Sequence, residues 1–355
     1  DFRFGLLYFL TPRLSLGLRN FFRRERVKAV IMNRPADLKT CGPAARAAGV
    51  RHVIYRRGSA LPVRDSLLNR HLYGRVITRL IANSLATRQQ VLANNPDLIP
   101  GDRITVLQNG VDVRAFDAAL SGVPAGEWKQ ERSRPFVIGN AGRLNRQKGQ
   151  HLLLQLCSLL RDSGLDFRLL IAGEGECEAE LKELFSKLGL DRQVEFCGFV
   201  RNMAAFWPKI DLFVLTSLWE GFGNVLIEAM LAEKPVFAFE VSNIPELITE
   251  GPGGNGRLFP LPQEARSMCP DYGTAAGAGH EKPSGGEPVS REVGGQALNR
   301  EKRETGGLQA MAAAILELAA DPDEAKRMGK AGREFALGFS QEARMDALEA
   351  LLGEK

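Results

Sequence analysis

Between residues 135 and 262 short apolar runs alternate with longer stretches in which apolar residues recur at helical spacing. Pro135 to Ala141, Phe167 to Ala172, Val194 to Cys197, Leu212 to Leu215 and Val236 to Phe239 read as buried strands, with helices between them. Alternation this regular predicts a parallel sheet with both faces covered. The front of the chain carries a looser version of the same pattern. Leu14 to Arg26 reads as a helix and Val27 to Met32 as a short strand broken by Asn33-Arg34-Pro35. A small-residue helix follows around Ala44 to Ala48, then a strand from Arg51 to Tyr55. Asn69 to Leu80 reads as a helix leading to the strand end Ile81-Ala82-Asn83-Ser84. A helix over Ala86 to Asn94 and a strand over Ile104 to Leu107 complete this half.

The polar and flexible stretches set the domain limits. Asn109-Gly110 gives a sharp turn, and 117–134, rich in Ser, Gly, Pro and charge, reads as a linker between a first domain over 1–116 and a second that starts at 135. From Gln263 to Gly307 hardly an apolar residue occurs, so 263–307 is expected to be a disordered insertion in a second domain that covers 135–262 and 308–340. Helices are expected over Leu308 to Ala320 and along the tail from Glu324 to Leu352, with 341–355 as a C-terminal helix.

Composition narrows the class. With 355 residues, 44% of them hydrophobic, and no apolar run near the length of a membrane span, the chain is large enough for two α/β domains and has no predicted transmembrane helix. Cys41, Cys157, Cys177, Cys197 and Cys269 are odd in number and lack C-x-x-C spacing, which argues against a disulfide framework or a zinc site and fits a reducing cytoplasm. A net charge of +5 suits phosphate-bearing ligands or an anionic surface better than it suits nucleic acid, because the excess is mild and dispersed. Arg23-Arg24-Glu25-Arg26 beside Phe21 and Phe22 either lies on anionic lipid or simply complements a helix C-terminus, the more ordinary use of such charges.

Chemistry concentrates in two stretches. Leu218-Trp219-Glu220-Gly221-Phe222-Gly223-Asn224-Val225-Leu226-Ile227-Glu228 runs from a buried strand through a glycine loop into a helix. Gly221 and Gly223 let backbone approach a ligand, and the N–H groups of a helix beginning near Asn224 and Val225 favour an anion there. Glu220 and Glu228 flank that point, and carboxylates accept hydrogen bonds from sugar hydroxyls. Each glutamate also has a plain reading, as a helix-dipole partner or a solvated loop charge. The second stretch, Ile138 to Gly149, places Gly142, Arg143, Arg146 and Lys148 at the carboxyl end of a strand, where open α/β sheets bind anions. Arg143 suits a two-pronged grip on a diphosphate and Lys148 a point charge, against the alternative of a solvated basic loop. Two further strand ends face the same side, with Glu174 between Gly173 and Gly175, and Phe199-Val200 after Gly198. A helix cap and plain packing are their ordinary readings. Arg56 and Arg57 end a strand of the first domain and are the acceptor-side candidates, one of them expected to point inward. No third glycine completes a dinucleotide fingerprint, no phosphate-loop lysine follows its glycine, and Asp321 and Asp323 read as a helix cap, so no metal is expected.

Together the two stretches resemble glycosyltransferase family 4, retaining enzymes of the GT-B architecture. The family's basic pattern falls on Gly142, Arg143, Lys148 and Gly149, and its glutamate pair on Glu220 and Glu228. The resemblance covers roughly residues 50 to 260. It implies two Rossmann-like domains facing each other across a cleft, with Arg143 and Lys148 on the donor diphosphate, Glu220 on the donor sugar, Glu228 on the ribose and the segment Phe199-Val200 at the nucleobase. Arg143, Lys148 and Glu220 are then the catalytic set, and Gly142, Glu174, Phe199, Val200, Gly223, Asn224, Val225 and Glu228 bind donor. The family's amino-terminal histidine or acid has no match here, His52 and His71 reading as structural or surface residues. The first domain, starting mid-pattern at Asp1, is expected to be truncated.

The expected activity is transfer, with retention and without metal or cofactor, from a UDP- or GDP-linked sugar to a saccharide or lipid-linked saccharide in cell-envelope glycan or polysaccharide synthesis. The expected location is cytoplasmic, with peripheral contact on the inner face of a membrane. A nucleotide-sugar epimerase of the same architecture and a non-catalytic nucleotide-sugar-binding subunit are the alternatives. An assay for nucleoside diphosphate release, with and without acceptor, separates them.

Overall fold

In the computed structural model residues 12–123, 134–268 and 306–353 are described. They divide into two compact units, one formed by residues 12–109 with 342–353 and the other by the remainder between 110 and 341.

The first unit runs α1 (Pro12–Arg24), β1 (Ala29–Met32), α2 (Pro35–Ala48), β2 (His52–Arg57), α3 (Leu67–His71), β3 (Arg79–Ala82), α4 (Leu85–Leu92) and β4 (Ile104–Val106). Its sheet has the order β1-β2-β3-β4, all parallel. Strand alternation sorts the side chains. Val53, Tyr55 and Leu80 enter a core with Leu38, Tyr73 and Val91, while Ile54 and Ile81 face the opposite way and meet Leu348, Leu351 and Leu352. Those leucines belong to the chain's last helix, so the polypeptide returns at its end to cover the far face of this sheet.

The second unit runs α5 (Val113–Ser121), β5 (Phe136–Ala141), α6 (Gln150–Asp162), β6 (Phe167–Ala172), α7 (Glu178–Lys187), β7 (Val194–Gly198), β8 (Leu212–Leu215), α8 (Asn224–Leu231), β9 (Val236–Phe239), β10 (Gly256–Phe259), α9 (Gln263–Arg266), α10 (Gly307–Ala320) and α11 (Pro322–Leu337); α12 (Gln341–Gly353) then belongs to the first unit. The six strands are parallel in the order β10-β9-β8-β5-β6-β7, the doubly wound arrangement whose direction reverses between β5 and β8. Ile138, Leu169, Leu212 and Val214 pack against α6 and α10 on one face, while Val137, Leu170, Phe213 and Leu215 pack against α8 on the other. All of β8 is buried, as its unbroken apolar sequence requires. Gly139 lies in β5 because a Cβ there would sit 2.5 Å from Ile210.

Several sequence expectations change. The helix expected over Asn69 to Leu80 is α3 followed by one π turn, Leu72–Val76, and Arg79 and Leu80 already belong to β3. The β-branched run Val76-Ile77-Thr78 ends the helical stretch, since such side chains prefer extended backbone. α5 occupies the beginning of the expected linker. Phe116 and Leu120 pack on the second unit's core and Asp117 pairs with Arg333, so this helix belongs to the second unit, and the remainder of the expected linker, 124–133, lies outside the described residues. The first residues of the expected insertion form α9, which buries Ala265 in the core, and its residues 269–305 lie outside the described residues. The helical tail is broken at 338–340, where Val111 and Ser340 form a parallel bridge. Asp321 caps α11 by accepting from the Glu324 N–H.

Candidate functional site

The loops after β5 and β8 stand on either side of the point where the strand order of the second unit reverses, the position at which open α/β sheets leave a crevice beyond their carboxyl ends. Glycine geometry builds the first loop. Gly142 has φ 159°, and Gly149 has φ 62° with its missing Cβ only 2.1 Å from the Thr216 carbonyl. Any side chain at 149 would therefore separate the two loops. Asn145 caps the intervening 3-10 turn by accepting from the Lys148 N–H, and buried Gln150 donates to the Arg143 carbonyl at 3.1 Å.

Cross-links between the loops follow. The Leu218 N–H donates to the Gln147 carbonyl at 2.8 Å, the Gln147 side-chain amide donates to the Trp219 carbonyl at 2.9 Å, and the Thr216 hydroxyl donates to the Lys148 carbonyl at 3.3 Å. Lys148 Nζ then meets Glu220 Oε1 at 2.5 Å, and the Ser217 hydroxyl donates to the same oxygen at 2.6 Å. Glu220 is 5% exposed, so its reading as a solvated loop charge fails and a buried ion pair replaces it. Arg143, by contrast, is exposed, and among the described residues its guanidinium makes no ion pair. Of the loop's cations, Lys148 is thus committed to a carboxylate and Arg143 is not.

The third contribution is the start of α8. Gly223, with φ 81°, forms its N-cap, placing Asn224 and Val225 in the first turn at the carboxyl end of β8. Positive partial charge gathers at that end. Glu228 lies one turn further along, half-buried, and burial raises its carboxyl above the ordinary glutamate range. Among the described residues no side-chain hydrogen bond or ion pair offsets that cost. Glu174 is exposed after β6 and accepts from the Phe199 N–H at 3.2 Å, rather than capping a helix. Phe199 itself is 68% exposed, while Val200 packs on the core; plain packing describes Val200 and not Phe199.

Sequence reasoning passes over three residues that hold this frame. Ser217, Ser242 and Asn243 lie at the ends of β8 and β9, and two of them fix the glycine loop's backbone. Ser242, with φ 50°, accepts from the Glu220 N–H at 3.2 Å, and Asn243 donates to the Phe222 carbonyl at 2.7 Å. Their only sequence signal was position after a strand on the ligand side. In the first unit Arg56 donates to Asn109 Oδ1 at 2.5 Å and Arg57 to the Leu61 carbonyl at 2.5 Å, beside the buried Tyr55 and Tyr73. Burial pushes the Tyr73 hydroxyl up to about 12 despite the nearby Arg57 charge. The two arginines point to opposite faces, as strand alternation requires, and both are tied into their own unit. Among the described residues no three His, Cys, Asp or Glu side chains are grouped to hold a metal ion, and no helix is long and apolar enough to cross a membrane.

Compared with known proteins, residues 127–267 match the family described as "Glycosyl transferases group 1" and residues 2–115 match "Glycosyltransferase Family 4". The lipopolysaccharide core biosynthesis mannosyltransferase LpsB of Rhizobium meliloti is 31% identical over 160 residues, 44% of this chain and 46% of that protein. The capsular polysaccharide biosynthesis glycosyltransferase CapM of Staphylococcus aureus is 29% identical over 182 residues, 50% of this chain and 47% of its own length. The match thus spans less than half the length of these curated relatives. Among solved structures, Anabaena Alr3699/HepE in complex with UDP superposes with a TM-score of 0.71 at 20% identity, covering 98% of this chain and 84% of that one, which shows the fold.

Proposed function

We propose that this chain, which belongs to glycosyltransferase family 4 and has its two-domain GT-B fold, moves a sugar from a UDP- or GDP-linked donor to a saccharide or lipid-linked saccharide, with retention and without a metal ion. The observation that carries the reading is the Lys148–Glu220 pair closing the strand-order switch point, with the uncommitted Arg143 beside it.

Departure of a nucleoside diphosphate builds negative charge on the leaving oxygens. Arg143, the remaining donors of the Lys148 ammonium and the positive end of α8 supply fixed charge for it, the work a divalent cation does elsewhere. Glu228 receives the ribose hydroxyls and Glu220, through its second oxygen, a hydroxyl of the donor sugar. Glu220 is a poor nucleophile, because Lys148 and Ser217 already share one of its oxygens. That favours internal return, in which the departing diphosphate takes the acceptor's proton on the face it leaves and the new bond forms on that same face. Relatives named for lipopolysaccharide core and capsular polysaccharide synthesis support an envelope glycan as the product. An amphiphilic acceptor would bring the protein to the inner face of a membrane, with the basic end of α1 available to anionic lipid.

The test is product analysis with UDP-glucose and GDP-mannose as donors, in chelator, over a panel of glycan acceptors. Transfer with the donor's anomeric configuration retained is expected. An inverted product, or activity abolished by chelator and recovered on adding magnesium or manganese, contradicts the proposal. Conversion of the donor sugar without acceptor points to an epimerase, and binding without release of nucleoside diphosphate to a subunit.

A further inference from the structure

We infer that Ser217 is a positioning residue of the donor site, holding Glu220 so that one carboxylate oxygen anchors Lys148 and the other is left for the donor sugar. The inference rests on the function proposed above and deepens it.

Ser217 is 1% exposed, and its hydroxyl donates to Glu220 Oε1 at 2.6 Å, the oxygen that also holds Lys148 Nζ at 2.5 Å. Two donors on one oxygen fix the carboxylate's rotation about its terminal torsion, which is otherwise broad and soft. The Glu220 backbone is placed by different groups. Ser242 takes its N–H, Asn243 takes the Phe222 carbonyl, and Gln147 binds the Trp219 carbonyl and the Leu218 N–H. Removing the Ser217 hydroxyl therefore leaves the loop where it is and frees only the carboxylate and the ammonium it holds. Glu220 would then turn its second oxygen toward Lys148, withdrawing the acceptor meant for the sugar. A small misplacement of such groups weighs on turnover more than on binding of the nucleotide, whose base and ribose lie elsewhere.

The experiment measures nucleoside diphosphate release from UDP-glucose and GDP-mannose, and calorimetric affinity for UDP and GDP, in wild type, Ser217→Ala, Ser217→Thr, Glu220→Ala and the Ser217→Ala/Glu220→Ala double variant. Ser217→Ala should lower kcat about tenfold with nucleotide affinity within about twofold of wild type. Ser217→Thr, which keeps the hydroxyl, should recover most of that loss. In the Glu220→Ala background Ser217→Ala should have no further effect, because a residue that acts through another loses its influence once that partner is gone. Wild-type turnover in Ser217→Ala overturns the assignment. So do multiplicative losses in the double variant, or a fall in kcat and affinity together in step with a lower melting temperature, which is what general loosening produces. Wild-type protein that binds neither nucleotide and releases none shows instead that the donor-site reading has failed, and this assignment with it.

Discussion

Arg143 and Lys148 sit five residues apart in one loop but in opposite electrostatic conditions, and the difference is measurable. Arg143 is exposed and unpaired within the described residues, so Arg143→Ala should leave the melting temperature nearly unchanged while weakening binding of the nucleoside diphosphate about tenfold or more, the scale of one charged hydrogen bond. Lys148→Ala should also weaken binding, but it strips the counter-charge from a carboxylate that is 5% exposed, which destabilises a fold by up to about 3–5 kcal/mol; denaturant titration separates the two variants. Glu228 gives the opposite balance between stability and binding. Burial raises its carboxyl, and a group raised in the folded state favours folding fully below its unfolded value and loses that contribution as pH rises through the folded one. Above the raised value the folded protein carries a half-buried charge at a cost. Glu228→Gln should therefore raise the melting temperature of the ligand-free protein at pH 7, with the advantage shrinking as pH falls through the raised value and gone below the ordinary value of 4.5, while donor affinity drops about tenfold. Equal melting temperatures across pH 4 to 8 would remove the claim that this carboxylate is strained without its ligand.

At the scale of elements, the strands of the second unit were legible because nearly every one is a short apolar run with both neighbours in register, as in Leu212–Leu215 and Val236–Phe239. The candidate loops were legible for a related reason, since charged residues after such a run have few places to go except the carboxyl edge of the sheet. What the pattern left unread came from longer-range packing. Residues 117–121 look like linker by composition, yet Phe116, Leu120 and Asp117 find partners far along the chain, and Ala265 is drawn into a core by helices that sequence spacing does not connect to it. Ser217 and Asn243 carry no signal by themselves, because a serine or asparagine after a strand is an ordinary turn residue until its partner is placed. The loops depend on glycine where they touch. Gly149→Ala would force a Cβ with φ 62° against the Thr216 carbonyl at 2.1 Å, and should cost more than about 2 kcal/mol in denaturant titration while reducing nucleotide affinity; near-wild-type stability and affinity would mean the loops are not packed as described.

For the whole molecule, the two crossings that the described residues make between the units divide its stability. α12 covers one face of the first unit's sheet with Leu348, Leu351 and Leu352, although it follows the last helix of the second unit in sequence. Leu351→Ala should destabilise the first unit by about 2–3 kcal/mol, shift one of two calorimetric transitions downward, and leave nucleotide affinity intact. Saturating nucleotide should raise the other transition, because ligand bound to folded protein stabilises the unit that binds it. The central claim is that the switch point of the second unit is a donor site whose binding charge comes from the protein. It is tested most directly by calorimetric titration of UDP-glucose and GDP-mannose, in chelator, into wild type and Arg143→Ala. One donor should bind wild type with an affinity that falls at least about tenfold in the variant. Binding of neither donor, binding only when magnesium or manganese is restored, or equal affinity in the two proteins would contradict it.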